Sequence, residues 1–380
     1  MLSNILRSNY IIDGIQQPLT PEAILRECAL EGVTPKDDAP GESLPAIADE
    51  TIDPAPSSID LDSTDFASSL KAVSSLHGRC VPVPFSGPYT AEKIAGALID
   101  TIWMGGHFRL GDLSLKADWK WNNDKIGNMA AFYASVEAAG NYIDSLGLKI
   151  SSLGVSQGTC SVSFKAVTTE EEDPNQDEDE EGLFGELPFR TASPRISRRR
   201  KCPATILPER SDWLVYVPFD SCDFRLGGSA LEEATSPGAG TAPEIGDADY
   251  FIDCFEVVRE LVEDGVVRAG ASVGNGGLMT ALSKMAESGA GASISIGDIC
   301  RAYGNEKPLR VLFSEVPGVI LQIADIDYDY IDAEFLLQDI AYFPLGHPDP
   351  SADGISVIAG GKTGIGGILD SLLGSKEGED

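Results

Sequence analysis

The chain has 380 residues, with 60 acidic against 28 basic side chains and a formal net charge of −32. Binding to nucleic acid draws most of its energy from neutralised phosphates, so this charge argues against DNA or RNA as a main partner. No stretch approaches the run of about 18 apolar residues that a membrane-spanning helix needs. The seven cysteines, without a CxxC pair, suit reduced thiols in a cytoplasmic compartment better than a disulfide framework.

In chain order, residues 1–84 read as an N-terminal arm or linker. The stretch 15–65 is rich in Pro, Ser, Asp and Glu and poor in aromatic residues, with a short helix from Pro21 to Leu30 behind Thr20 as cap. Order in this region would imply that a partner covers it. From Thr90 the texture changes: Ile94, Ala97, Leu98 and Ile102 recur at helical spacing, Leu113 and Leu115 alternate as in a strand, and Asn128 to Leu146 reads as a second helix. Leu153 to Val167 alternates again. A charged insert over 168–201 follows, in which Glu170 to Glu181 holds nine carboxylates and Arg198 to Lys201 is basic. Like charges at that density belong in solvent rather than in a core.

Trp213 to Val217 reads as a buried strand, Ala248 to Leu261 as a helix, Val266 to Val273 as a strand and 278–288 as a helix. Leu309 to Phe313 and Gly318 to Ile323 are expected as a strand pair, and Ile355 to Ile358 as a last strand in a glycine-rich tail, 346–380. Alternating strands and helices predict a mixed α/β body in two lobes, 85–210 and 211–345.

Two glycine turns are the places where chemistry could sit. Gly227, Gly228 and Ser229 follow the Trp213 strand, and Gly276 and Gly277 lie between a strand and a helix. Each is either a structural turn or a backbone cradle for phosphate. A nucleotide held there would need carboxylates for Mg²⁺, and Asp100, Asp112 and Asp118 are the candidates; each also reads as a surface or capping residue. There is no GxGxxG and no GxxxxGK[ST], which disfavours the usual dinucleotide and P-loop sites. Cys160 has no histidine near it in sequence and reads as a buried, inert thiol.

Several segments, in this order, resemble the C-terminal half of phosphoribosylformylglycinamidine synthase, the ATP-dependent amidoligase of purine biosynthesis. They are Gly96 to Asp100, where that family has EALTN, then Asp112 to Trp119, Ser156 to Val162, Arg225 to Leu231 (RLGGSAL), Ala271 to Leu278 and Leu312 to Gln322. The resemblance spans about 85–345. It implies the α/β (α+β) fold of aminoimidazole ribonucleotide synthetase: a first lobe giving strands to a β-barrel shared with a partner lobe, and an α/β sandwich as second lobe. The implied partner is a second copy or a related subunit inside a larger assembly.

The departures from the family pattern concern ligands. The family's Glu and Asn of EALTN stand as Gly96 and Asp100, its Lys-Asp pair as Gln157 and Gly158, and its His-Asp and later Asp as Ala271, Ser272 and Asn275; Asp112 and Glu315 survive. A glycine supplies no ligand oxygen. The expectation is therefore a non-catalytic homologue serving as a structural or interaction subunit, with no cofactor, its glycine turns and aspartates being remnants of a Mg-ATP or ADP site. The alternatives are an ATP-dependent synthase component completed by a second subunit, and a phosphate- or nucleotide-binding regulator using the glycine turns.

Overall fold

Residues 3–33, 45–168, 195–197, 199–235, 238 and 240–358 are described by a computed structural model. The acidic tract 170–181 and the tail beyond Ile358 lie outside the described residues.

The N-terminal region folds onto both lobes, its first part on the first lobe and residues 66–74 on the second. It holds α1 (Ser3–Arg7), β1 (Tyr10–Ile12), β2 (Ile15–Gln16), α2 (Pro21–Glu27), β3 (Ile47–Asp49) and α3 (Phe66–Ser74), and its strands form a small sheet in the order β2-β1-β3. As expected, Thr20 caps α2, its Oγ1 accepting from the Ala23 amide at 3.2 Å. Leu6, Tyr10, Leu25 and Cys28 are buried in the main core. The expectation that a partner covers this region is corrected: the cover comes from the chain itself.

The first lobe is built on α4 (Ser86–Ile102), β4 (Leu113–Trp121), α5 (Asn128–Ser145), β5 (Lys149–Gln157) and β6 (Ser161–Thr168). Its sheet runs β5-β4-β6, with β4 parallel to β5 and antiparallel to β6. Strict alternation places Leu115, Ala117, Trp119 and Trp121 in the core and leaves Lys116, Asp118 and Lys120 exposed on the other face. The inner tryptophans are fixed by their ring N–H groups, Trp119 donating to Ser135 Oγ at 3.0 Å and Trp121 to the Asn128 carbonyl at 2.7 Å.

The second lobe contains β7 (Trp213–Pro218), α6 (Ala230–Thr235), α7 (Ala248–Glu263), β8 (Val267–Val273), α8 (Gly277–Ala286), β9 (Gly291–Ser295), α9 (Gly297–Ala302), α10 (Pro308–Phe313), β10 (Gly318–Ile323), α11 (Tyr328–Leu337), β11 (Phe343–Asp349) and β12 (Ile355–Ile358). Six strands make one sheet in the order β12-β9-β11-β7-β10-β8. The expected strand at Leu309 to Phe313 is corrected: it is the helix α10. Pro308 opens it at a position where a missing N–H costs nothing, and Leu309, Val311, Leu312 and Phe313 are all buried, so a short apolar run carried no period to tell helix from strand.

The six-stranded sheet is covered on both faces. Val215, Val217, Val319 and Leu321 join the core that continues into the first lobe, while Leu214, Tyr216 and Ile320 join a second core beneath α8 and α10. Arg259 of α7, wholly buried, ties the lobes together by donating to the carbonyls of Ile102 at 2.9 Å and Met104 at 2.7 Å beyond the end of α4, with its guanidinium over the Phe108 ring. Cationic donors at a helix C-terminus satisfy carbonyls that have no partner within the helix.

Candidate functional site

The two glycine turns meet at the front of the second lobe, with α4 opposite. Gly276 and Gly277 adopt φ of +80° and +70°, which glycine alone enters without strain. They turn the chain from β8 into α8 with Gly277 pressed against α10: a Cβ there would lie 2.7 Å from the Leu312 and Ser314 carbonyl oxygens.

A phosphate cradle needs free amide groups, and here they are used internally. In the first turn Gly227 N–H donates to the Thr241 carbonyl (2.8 Å), Gly228 N–H to Glu232 Oε2 (2.6 Å), Ser229 N–H to the Leu226 carbonyl (3.1 Å) and Ala230 N–H to Glu315 Oε1 (3.0 Å). In the second, Gly277 N–H donates to the Gly274 carbonyl (2.8 Å) and Gly276 N–H to Glu315 Oε1 (2.6 Å). One carboxylate oxygen of Glu315 therefore bridges both turns, in the position an anion would take.

Glu315 is neutralised by Arg79. The Arg79 guanidinium donates to Glu315 Oε1 at 2.8 Å, to Glu233 Oε2 at 3.0 Å, to Asn275 Oδ1 at 2.8 Å and to the Gly228 carbonyl at 2.7 Å. Burial works against its charge, but Glu315 together with Tyr89 and Glu233 outweighs burial and raises the guanidinium pKa. Beside it, the Lys93 ammonium lies 2.6 Å from Glu92 Oε2, donates to Asn275 Oδ1 at 2.7 Å and sits over the Tyr89 ring. Burial pushes the Glu92 carboxyl above its ordinary range despite Lys93. Two cations thus face the carboxyl groups of Glu92, Glu232, Glu233 and Glu315, an environment without surplus positive charge for phosphate.

The gap between Tyr89, Glu92, the Gly227–Ser229 turn and Glu315 is about 20 Å³, enough for one water. Two open clefts of about 400 and 500 Å³ flank Asn275, the first lined by Lys93, Gly96, Asp100, Ser272 and Lys284, the second by Arg79, Tyr89 and Thr280.

The three candidate aspartates have separate structural roles. Asp100 Oδ1 accepts from Ser272 Oγ at 2.6 Å, the same hydroxyl that receives Trp103 Nε1 at 2.9 Å. Asp112 caps the turn at 110–112 by accepting from the Arg109 amide at 2.8 Å. Asp118 stands on the exposed face of β4, paired in register with Gly154 and Ser163. Among the described residues no three His, Cys, Asp or Glu side chains come together as a group able to hold a metal ion. Cys160 is buried and burial pushes its thiol pKa up. Arg79 is the central residue that sequence reasoning missed, because it lies in a segment taken for linker and no spacing links it to Glu315.

Residues 212–329 match the family model described as AIR synthase related protein, C-terminal domain. Human phosphoribosylformylglycinamidine synthase is 28% identical over 161 residues, 40% of this chain and 12% of the relative. The probable phosphoribosylformylglycinamidine synthase of Caenorhabditis elegans is 33% identical over 110 residues, 27% of this chain and 8% of the relative. Among solved structures, T. maritima PurL complexed with FGAR superposes over 73% of this chain and 42% of its own, with a TM-score of 0.52 at 13% identity. These matches place the chain in the AIR synthetase-like superfamily. Each match spans a minor part of the relative, so the superfamily assignment carries the fold and leaves activity to the site. The three-stranded β5-β4-β6 sheet has β5 and β6 as its outer strands and does not close on itself among the described residues.

Proposed function

We propose that the chain is a non-catalytic homologue of phosphoribosylformylglycinamidine synthase that acts as a structural or interaction subunit. One observation carries this reading: the amides of Gly227, Gly228, Ser229, Gly276 and Gly277 all have internal acceptors, with Glu315 bridging the two turns and Arg79 balancing it. A nucleotide phosphate entering there would have to displace a carboxylate and meet its neighbours' charge, with no grouped ligands for Mg²⁺ to offset the repulsion. Fold and site are separable, so the packing survives without the chemistry.

The test is calorimetric titration of the full chain with MgATP. The expected result is binding weaker than about 1 mM; micromolar, magnesium-dependent heat would overturn the reading. The likeness to curated synthases favours a second reading, a component of an ATP-dependent synthase completed by another subunit. Under it, tight MgATP binding appears when such a subunit is added.

A further inference from the structure

Helix α11 is apolar on two faces. Its inner face is anchored: Ile331 and Phe335 are buried, Phe335 lies 5.2 Å from the Tyr342 ring and Tyr328 lies 5.2 Å from Trp213. Its outer face carries Ile326 just before the helix, then Tyr330, Leu336 and Leu337, exposed to 89%, 47%, 67% and 75%. The spacing 326, 330, 337 follows one stripe of a helix about 16 Å long. Scattered exposed apolar residues mean nothing, but three along one stripe with Leu336 beside them, on an anchored helix face about 120° wide, mark an interaction surface.

The charge around the stripe selects its occupant. Asp329 is exposed within it, and the carboxylates of Glu334, Asp264 and Glu260 act on the Tyr330 hydroxyl from α11 itself and from the end of α7. None of these four carboxylates takes part in an ion pair among the described residues. A second copy would set this acidic rim against itself, and an anionic lipid surface would repel it.

We propose that the outer face of α11 docks an amphipathic helix of a partner protein, with Leu-type side chains against Ile326, Tyr330, Leu336 and Leu337 and Lys or Arg flanks against Asp329, Glu334, Asp264 and Glu260. Such a helix of about three turns matches the stripe in length. The stripe lies almost wholly beyond the matched residues 212–329 and shares no residue with the glycine turns. It stands whether or not those turns bind nucleotide.

The probe is a labelled two-heptad Leu/Lys peptide that forms an amphipathic helix, titrated by fluorescence anisotropy against the full chain near physiological salt. A scrambled peptide of identical composition controls for non-specific attraction to an acidic protein. The amphipathic peptide is expected to bind at least about tenfold more tightly than the scrambled one. Leu336→Ser/Leu337→Ser, whose side chains are exposed and leave the fold intact by circular dichroism, is expected to remove that difference, and Asp329→Asn/Glu334→Gln to lower the salt dependence. Equal binding of the two peptides, or an unchanged preference in the Ser variant, overturns the proposal. A dimer that the Ser variant abolishes would instead assign the face to a second copy and overturn it as well.

Discussion

Two charged residues show how much a single side chain can organise at a distance. Asp49 lies in β3, yet its carboxylate accepts from the amides of Gly127 at 2.9 Å, Met129 at 2.8 Å and Ala130 at 3.1 Å and so caps α5 from another part of the chain. Partial burial works to raise its pKa, but the amides of Gly127, Ala130 and Met129 outweigh burial and hold it below the usual carboxylate value. The folded state therefore binds this proton less well than the unfolded state, so the stabilisation is full above about pH 4 and is lost as pH falls through the lower folded value. Asp49→Ala should cost about 1 kcal/mol in urea unfolding at pH 7. The difference from wild type should shrink toward pH 3, and a pH-independent difference would contradict the capping role. Arg79 offers a second case. Arg79→Met strands Glu315 among amides and carboxylates and should cost about 3 kcal/mol. The double variant Arg79→Met/Glu315→Gln should cost less than the sum of the singles, which a double-mutant cycle measures; strict additivity would mean that the pair is not coupled.

Elements followed the sequence where their period was long. Asn128 to Leu146 was legible as a helix because its buried positions, among them Ala131, Val136, Ala139 and Tyr142, recur over several turns, and the structure ends it within one residue, at Ser145. Trp213 to Val217 and Ile355 to Ile358 were legible as strands on their β-branched and aromatic side chains rather than on period. The short run Leu309 to Phe313 was not, because five apolar residues fit a buried strand and a buried helix equally well. The glycine turns were legible as turns, and their crowding was not. Gly277 and Gly14 both have positive φ, +70° and +76°, but a Cβ at Gly14 meets nothing within 4 Å while one at Gly277 meets two carbonyl oxygens at 2.7 Å. Gly14→Ala should therefore cost only the left-handed penalty of about 1 kcal/mol. Gly277→Ala should cost clearly more and lower the melting temperature further. Equal losses would mean that α10 yields freely.

For the whole molecule, net charge and sheet edges pull in opposite directions. The β5-β4-β6 sheet exposes Lys116, Asp118 and Lys120 on its outer face, so two copies would not associate there through apolar burial; pairing has to come from backbone groups at the sheet edge. Each copy carries −32, which opposes association until salt screens it. Light scattering should show at least a dimer, with the dimer fraction rising between about 20 mM and 300 mM salt. A 40.3 kDa monomer throughout would contradict barrel completion by a second copy. The sequence by itself determined the α/β class and the glycine turns, because periodicity and turn residues are local properties of the chain. Only the tertiary structure decided that the N-terminal region folds onto both lobes and that Arg79 meets Glu315 between the turns. These are contacts across 236 residues of separation, and no local pattern encodes which distant side chain will fill a given set of amide donors.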